Sequence, residues 1–213
     1  LDYMGLEHDD IEIGDMAQHL GKVPEHVLLR LGVDIRPVNP LPPTSWRLRV
    51  SRVGQSDVFY DEWGIGWRRP ADSELYFDMF HHPLAEAASV SDLEKFQWPD
   101  PEDEARYAGI VNNEEDIKNT SGAGIVLGRM APGIFETAAW LRGFESFYMD
   151  LATAPGFACA ILDKVTEIKM RYWEKAISLL QDECPVLSEA DDLATQISLM
   201  ISPELYRRLI KPR

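Results

Sequence analysis

Cysteines and long apolar runs are both scarce in this sequence. Its 213 residues include only Cys159 and Cys184, whose separation fits neither a disulfide framework nor a metal-binding knuckle, so we expect two buried thiols. No stretch approaches the roughly 18 consecutive apolar residues of a membrane span, and the first ten residues lack the basic flank and the apolar run of a signal peptide. We therefore expect a cytoplasmic protein with no membrane partner.

Basic side chains are outnumbered by acidic ones. The sequence has 21 Lys and Arg against 36 Asp and Glu, which gives a formal net charge of −15. A protein with this charge repels phosphate backbones and anionic lipid surfaces. Nucleic acid is therefore not an expected partner.

The common catalytic and metal-binding motifs are also missing. The sequence contains no G-x-S-x-G, H-E-x-x-H, C-x-x-C or G-x-x-x-x-G-K pattern. His81 and His82 are neighbours on a predicted strand and face opposite sides, so they are not expected to bind one metal ion. Gly122 and Gly124 precede an apolar run, whereas a dinucleotide-binding loop needs its glycines after a strand.

The sequence instead shows an alternation of strands and helices. Short apolar runs predict strands over 33–38, 125–128 and 186–190, and each is followed by a helical pattern. The longest helix is predicted from Pro155 to about Leu180. Its expected buried face consists of Ala158, Ile161, Leu162, Val165, Ile168, Tyr172 and Ile177. Such alternation predicts a parallel sheet with helical crossovers, either open or closed as a barrel.

Residues 39–83 interrupt this alternation and predict a β-hairpin excursion. The stretches 46–50 and 57–67 are rich in β-forming residues, and Gly54 lies in the expected turn between them. The aromatic side chains here favour a local satellite core over a ligand platform, and both interpretations remain open. They are Trp46, Phe59, Tyr60, Trp63 and Trp67.

Further helices are predicted on either side of the second strand. The tetrad Ser91–Glu94 is typical of a capping box, and a polar helix is expected over 101–118. Helical patterning resumes over 132–152, and Ser202 is expected to cap a final helix.

The best candidate site is the acidic pair Asp191 and Asp192. Both follow a predicted strand directly, and in parallel α/β folds this edge faces the ligand crevice. In a partly buried pocket two adjacent carboxylates would not both ionise easily, so one could carry a proton. The alternative is structural, with one aspartate capping a turn and the other solvated.

Two further loops are candidates for the same site. The segment 128–136 leaves the second strand at that edge and carries Met130, Phe135 and Glu136, which could line a pocket or simply pack in the core. The segment 61–64, with Trp63, could close over the site as a lid.

Four segments of the sequence resemble the uroporphyrinogen decarboxylase superfamily. They are residues 61–70 (DEWGIGWRRP), 82–103, 133–155 and, most clearly, 190–212 (ADDLATQISLMISPELYRRLIKP). The resemblance covers nearly the whole chain. It implies an α/β fold of the TIM (β/α)8 barrel type, with the site at the carboxyl-terminal mouth. The superfamily joins decarboxylases of porphyrin biosynthesis to corrinoid-linked methyltransferases.

A complete barrel needs more chain than this sequence offers. A (β/α)8 barrel takes about 250 residues, whereas this chain has 213 residues and spends 39–83 on the excursion. We therefore expect residues 1–213 to form part of a single barrel domain. The resemblance implies that the zinc ligands of the methyltransferases lie beyond Arg213. The arginine-rich first loop of the decarboxylases has no counterpart in this sequence before Asp34.

Within the superfamily the sequence is closer to the methyltransferases. Decarboxylases carry a catalytic aspartate soon after the motif at 31–34, and here Asn39, Pro40 and Leu41 stand in that stretch. Their substrate-facing tyrosine is replaced by Ala138 and Ala139. We therefore expect a corrinoid-linked methyltransferase or demethylase acting on a small methylated substrate. A decarboxylase and a non-catalytic binding module are the alternatives.

The resemblance also implies roles for individual residues. Asp191 and Asp192 would position or protonate an oxygen of the methyl donor. A zinc ion bound outside this chain would activate a thiolate or polarise the leaving group, and a partner protein would carry the corrinoid. The expected substrate-binding residues are Met130, Phe135, Glu136, Trp63 and Gln196.

Overall fold

The computed structural model describes residues 11–73, 75–110, 122–180 and 186–213. In chain order the elements are β1 (Ile13–Asp15), β2 (Leu20–Gly21), α1 (Glu25–Leu31), β3 (Ile35–Val38), β4 (Ser51–Val53), β5 (Ser56–Tyr60), β6 (Gly66–Pro70), β7 (Asp78–His81), α2 (Val90–Lys95), β8 (Gly124–Leu127), α3 (Ile134–Arg142), α4 (Phe144–Thr153), α5 (Pro155–Leu179), β9 (Val186–Leu187) and α6 (Pro203–Leu205). A π-helical turn, Tyr206–Ile210, follows α6, and residues 105–110 are also helical.

The three predicted strands form one parallel sheet in the order β3, β8, β9. Val38 pairs with Leu127, and Leu127 pairs with Leu187. The prediction of a parallel sheet is thus confirmed, although β3 and β9 are shorter than the apolar runs that indicated them and β8 begins one residue earlier than its run. Three parallel strands among the described residues are fewer than the eight of a closed barrel. The fold established here is therefore α/β with a parallel sheet.

The excursion forms a four-stranded antiparallel sheet in the order β4, β5, β6, β7. Gly54 lies in the first turn with a positive φ of 59°, as predicted. The prediction of strands over 46–50 and 57–67 is wrong in two respects. Residues 46–50 are outside the sheet, and 57–67 contains the end of β5, a turn and the start of β6. The turn between Tyr60 and Gly66 reverses the chain, so one continuous strand is excluded.

Three of the five aromatic side chains named for the excursion join the main core, whereas Trp46 and Tyr60 do not. Phe59, Trp63 and Trp67 belong to the same buried cluster as Leu127 of β8 and the inner face of α5. The ring of Trp67 packs edge-on against Trp140 of α3, with 5.2 Å between centroids. The expected satellite core is therefore replaced by one continuous core that includes Phe59, Trp63 and Trp67.

The helix α5 confirms the longest predicted helix. Its inner face, from Ala158 to Tyr172, is buried as the helical spacing predicts. Ile177 is the exception, with 44% of its surface exposed. It lies five residues after Tyr172, which places it well off that face, whereas Ala176 lies four residues on and is buried.

The helical segment predicted over 132–152 is divided at Gly143. This residue has a φ of +86°, which ends α3 before α4 begins. The predicted capping box is displaced, because α2 begins after Ser89 rather than after Ser91. The Asp92 carboxylate accepts hydrogen bonds from the Ser89 amide, at 3.0 Å, and from the Ser89 hydroxyl, at 2.8 Å.

The remaining predictions are met in part. Ser202 caps α6 by accepting a hydrogen bond from the Leu205 amide at 3.1 Å. The polar helix expected over 101–118 begins only near residue 105, and residues 111–118 lie outside the described part. Cys159 is half-buried rather than buried, and Cys184 lies outside the described residues. None of the helices in the described ranges is both long and apolar enough to cross a membrane.

Candidate functional site

The carboxyl ends of the three parallel strands bring their following segments to one edge. Asn39 follows β3, the loop 128–133 follows β8, and Asp191 lies four residues after β9. The segments after β3 and β8 approach each other closely: a Cβ atom added at Gly128 would lie 1.9 Å from the Asn39 Oδ1. A larger residue at position 128 would require the Asn39 side chain to move.

Asp191 lies at the amino-terminal end of α3. Its carboxylate accepts hydrogen bonds from the backbone amides of Phe135, at 2.9 Å, and Glu136, at 2.8 Å. The helix has no capping side chain of its own, because Gly133 occupies its N-cap position. Asp191 therefore caps α3 from a different strand end, in the place where a negative charge is most favourable.

Gly133 makes this contact possible. A Cβ atom at this position would lie 2.1 Å from the Asp191 Cγ. Only glycine leaves room for the carboxylate against the start of the helix. The pairing of Gly133 with Asp191 is thus a steric requirement of the cap.

Glu136 lies beside both aspartates. Burial, followed by the negative charges of Asp192 and Asp191, raises the pKa of Glu136 to about 7. The Asp192 amide and Arg129 oppose this shift. Burial also raises the pKa of Asp191, against the lowering effect of its two amide hydrogen bonds. The edge of the sheet therefore holds a glutamate that exchanges its proton near neutral pH.

Lys169 of α5 fixes the loop that precedes α3. Its side chain is 7% exposed, and its Nζ donates to the carbonyl oxygens of Ala131, at 2.9 Å, and Pro132, at 2.8 Å. The Nζ also forms an ion pair of 3.0 Å with Glu189. Burial lowers the pKa of Lys169, while Glu189 raises it. Lys169 thereby connects α5 to the segment after β8, through Ala131 and Pro132, and to the segment after β9, through Glu189.

A cavity of about 420 Å³ opens next to this network. Its walls include Gly133, Lys169, Trp173, Glu189 and Asp191. The Trp173 Nε1 donates to the Glu189 carboxylate at 2.7 Å, which fixes the indole at the cavity wall. The strand ends thus border a space large enough for a small ligand.

The structure brings some of the predicted site residues together. Asp191 contacts the amides of Phe135 and Glu136, as the argument from parallel strand ends predicts. Asp192 is exposed and contributes its backbone amide and its charge to Glu136.

The predicted apolar wall is part of the core. The Phe135 side chain is fully buried against Phe147 and Tyr148, and Met130 is 8% exposed. Met130, Phe135 and Glu136 are all absent from the lining of the 420 Å³ cavity. Gln196 is exposed, beside the short bridge between Ala194 and Leu199.

Trp63 and its neighbours form a closed turn. The Asp61 carboxylate accepts hydrogen bonds from the amides of Trp63, at 2.9 Å, and Ile65, at 3.0 Å, and from the Trp67 indole at 2.9 Å. These contacts fix the turn in one conformation. A lid movement of segment 61–64 stays a prediction.

Sequence reasoning missed Lys169, Glu189 and Gly133. Lys169 stands four residues after Val165 and three before Tyr172, on a face that is otherwise apolar. A lysine in such a position has to find partners when buried, and that signal could have identified it.

Zinc does not fit the residues described here. In the described ranges no group of three or more His, Cys, Asp and Glu side chains is placed to hold a metal ion. His82 instead makes a 2.6 Å contact between its Nδ1 and the Trp140 carbonyl oxygen. No chemical step is therefore assigned to a metal.

A comparison with solved structures finds a similar chain. It is a methyltransferase from Methanosarcina mazei. The two chains are 21% identical and superpose with a TM-score of 0.45, over 70% of this chain and 42% of that one. This chain thus spans less than half the length of that protein, and a likeness of this size assigns no activity to it. A scan against protein-family models and a search of curated proteins find no match.

Proposed function

We propose that this chain forms part of a uroporphyrinogen-decarboxylase-like enzyme that transfers or removes a methyl group on a small substrate. The sequence resemblance over 61–70, 82–103, 133–155 and 190–212 supports the family. The acidic strand ends support a site at the carboxyl edge of the sheet, where such barrels hold their substrates. In this proposal residues 1–213 belong to one barrel domain, with 39–83 as an excursion within it.

The position of Glu136 carries the proposal. With a pKa of about 7, this side chain is about half protonated at neutral pH and can donate or accept a proton. A solvated glutamate, with a pKa of about 4.3, would be almost fully ionised and unable to donate. Glu136 is thus suited to general acid and base catalysis at the edge of the sheet.

Methyl transfer from oxygen requires such an acid. A nucleophile attacks the methyl carbon, the carbon–oxygen bond breaks, and its electron pair remains on the oxygen. The proton of Glu136 moves to that oxygen, which leaves as a neutral hydroxyl group. Asp191 acts as a positioning residue, because its cap fixes the first turn of α3 and with it Glu136. Asp192 favours the protonated form of Glu136 by its charge.

Cofactors and partners are part of the proposal. In this proposal a corrinoid bound to a partner protein would supply the nucleophile that accepts the methyl group. A zinc ion that activates a thiolate would need ligands other than the described residues. Substrate contacts by Trp63, Gln196, Met130 and Phe135 and a cytoplasmic location remain predictions.

The decarboxylase alternative is less favoured by the charge of the site. Its substrate carries many carboxylates, which the acidic edge formed by Glu136, Asp191 and Asp192 would repel. Asp191 as a plain helix cap fits the third alternative, a binding module without catalysis. An enzyme differs from that alternative in having a methyl-transfer rate that depends on the protonation of Glu136.

The test compares wild type and Glu136→Gln in the full-length protein. Free reduced cobalamin serves as methyl acceptor, with methanol or a methoxylated aromatic acid as methyl donor, and transfer is followed by cobalamin absorbance. We expect kcat to fall by about 10²- to 10⁴-fold in Glu136→Gln. The wild-type rate should fall as pH rises through about 7, because the protonated form is the donor, and the variant should lack this dependence.

The matched control is Glu145→Gln. Glu145 is also in the first turn of a helix, α4, and is exposed. It should retain the wild-type rate and pH profile. Transfer by Glu136→Gln at the wild-type rate, or no transfer by the wild type from either donor, would contradict the proposal.

A further inference from the structure

A second cavity lies between the excursion and the segment 96–99. It has a volume of about 290 Å³, and the turn 61–64 and the segments 43–46 and 96–99 contribute to its walls. It shares no lining residue with the cavity at the strand ends. Its volume is at the lower end of the range of small-molecule sites.

Aromatic side chains dominate the walls of this cavity. Trp46, Trp63, Phe96 and Trp98 all line it. The Trp46 Nε1 donates to the Tyr60 carbonyl oxygen at 3.0 Å, and the Trp98 Nε1 donates to the Leu93 carbonyl oxygen at 2.9 Å. The Phe96 ring packs edge-on against Trp98, with 4.9 Å between centroids. These rings are therefore held in place without a ligand.

Trp63 differs from the other two tryptophans. Only 4% of its surface is exposed, and its buried Nε1 has no hydrogen-bond partner among the residues that the structure describes. A buried donor without a partner costs about 1–3 kcal/mol. A ligand that brings a hydrogen-bond acceptor into the cavity would remove this cost.

The charge of the cavity is negative. Asp61 and Glu62 are on its wall, and no lysine, arginine or histidine lines it. Glu62 is neutralised by the buried guanidinium of Arg106, which donates to Glu62 Oε1 at 3.1 Å. Burial raises the pKa of Asp61 to about 6, so this carboxylate still carries most of its negative charge at neutral pH. The Asp61 carboxylate accepts three hydrogen bonds from its own turn and strand β6 but forms no ion pair with another described residue, so a net negative charge remains at the cavity wall.

We propose that this cavity binds a small alkylated ammonium ion that also carries a hydrogen-bond acceptor. Indole rings attract such cations through the negative faces of their π systems, and several rings around one cation form an aromatic cage. The negative charge of Asp61, on the cavity wall, adds Coulomb attraction. The acceptor of the ligand pairs with the Trp63 indole N–H. An anionic or uncharged ligand gains nothing from the carboxylate.

Calorimetric titration of the full-length protein tests this proposal with three probes. Choline has the alkylated cation and a hydroxyl acceptor, tetramethylammonium lacks the acceptor, and 3,3-dimethylbutan-1-ol replaces the charged nitrogen with carbon. We expect choline to bind at least about tenfold more tightly than the uncharged alcohol, which corresponds to about 1.4 kcal/mol. Tetramethylammonium should bind more weakly than choline by several-fold.

Two variants of the same residue serve as test and control. Trp46→Leu removes a ring from the partly buried wall and should weaken choline binding by about tenfold. Trp46→Phe keeps a ring while losing the same hydrogen bond to Tyr60, and it should stay within about threefold of wild type. Thermal unfolding checks that both variants are folded.

Equal affinity for choline and the uncharged alcohol would overturn the proposal, as would the absence of choline binding at millimolar concentration. Equal affinity for choline and tetramethylammonium would overturn the role of Trp63. The inference does not depend on methyl transfer, because its test measures binding at residues separate from Glu136 and Asp191.

Discussion

Asp191 shows how one side chain can be predicted for one reason and be required for another. The sequence singles it out as a strand-end carboxylate near a ligand crevice. In the structure its two carboxylate oxygens accept hydrogen bonds from the backbone amides of Phe135 and Glu136. These amides are among the donors that have no partner within the helix at its amino-terminal end. Its direct contribution is to hold α3, and any catalytic effect passes through Glu136.

Asp191→Ala should therefore lower the free energy of unfolding. The variant removes a charged cap with two hydrogen bonds, and we expect a loss of about 1–3 kcal/mol in urea unfolding. Asp191→Asn retains an acceptor oxygen and should lose less. Asp192→Ala is the control, because Asp192 is exposed, and its effect should be within about 0.5 kcal/mol. Equal effects at both positions would contradict the cap.

At the scale of the elements, the backbone conformation between α3 and α4 requires a glycine at position 143. Its φ of +86° separates α3 from α4, and an added Cβ would meet the His82 ring at 3.3 Å. Gly156, in the first turn of α5, has open space around its Cα instead.

These two glycines should respond oppositely to alanine. Gly143→Ala should destabilise the protein by about 1–2 kcal/mol, because an L-residue is strained in the left-handed region. Gly156→Ala should raise stability by up to about 1 kcal/mol, because alanine favours the helix. Thermal unfolding of both variants measures the difference. A loss of stability in Gly156→Ala similar to that in Gly143→Ala would show that backbone conformation does not explain the effect.

The strands were predictable where a short apolar run and a following helix occur together. This is the case for β3, β8 and β9, and the parallel topology then places Asp191 near Glu136. The failure at 46–50 has a local cause. The two-residue turn at Gly54 and Gln55 pairs Val53 with Ser56 and so fixes the register of β4. The β-propensity of 46–50 gave no information about that register, and these residues leave the sheet.

Only the placement of the candidate residues at one edge of the sheet was predictable, because it follows from the parallel strand topology. Which aspartate contacts α3, and that Gly133 admits it, depend on interatomic distances that no sequence pattern encodes. Lys169 was missed because the apolar face of α5 was read from its hydrophobic members alone. The pKa of Glu136 follows from burial and from two neighbouring charges, and both arise only in the folded chain.

At the scale of the whole molecule, the buried ion pair of Arg106 and Glu62 connects the excursion to the segment before β8. Arg106 is 1% exposed and donates to Glu62 of the excursion and to the Asp100 carbonyl oxygen, at 2.7 Å. Removing one partner of such a pair leaves an uncompensated buried charge. The pair therefore fixes the position of the turn 61–64 against the rest of the chain.

Arg106→Leu should lower the free energy of unfolding by about 3–5 kcal/mol. The double variant Arg106→Leu with Glu62→Leu should lose clearly less than the sum of the two single losses. The control is Arg171→Leu, whose 2.9 Å ion pair with Glu102 is exposed and should contribute at most about 1 kcal/mol. Additive losses in the double variant would show that the two buried charges are not coupled.

The protonation of Glu136 is the central claim, since the proposed acid chemistry at the strand-end edge depends on it. The most direct measurement is a carboxyl ¹³C NMR titration of the full-length protein labelled at glutamate, with Glu136→Gln used to assign the resonance. The structure predicts a midpoint of about 7 for Glu136. A midpoint near about 4.3, the value of a solvated glutamate, would contradict the account.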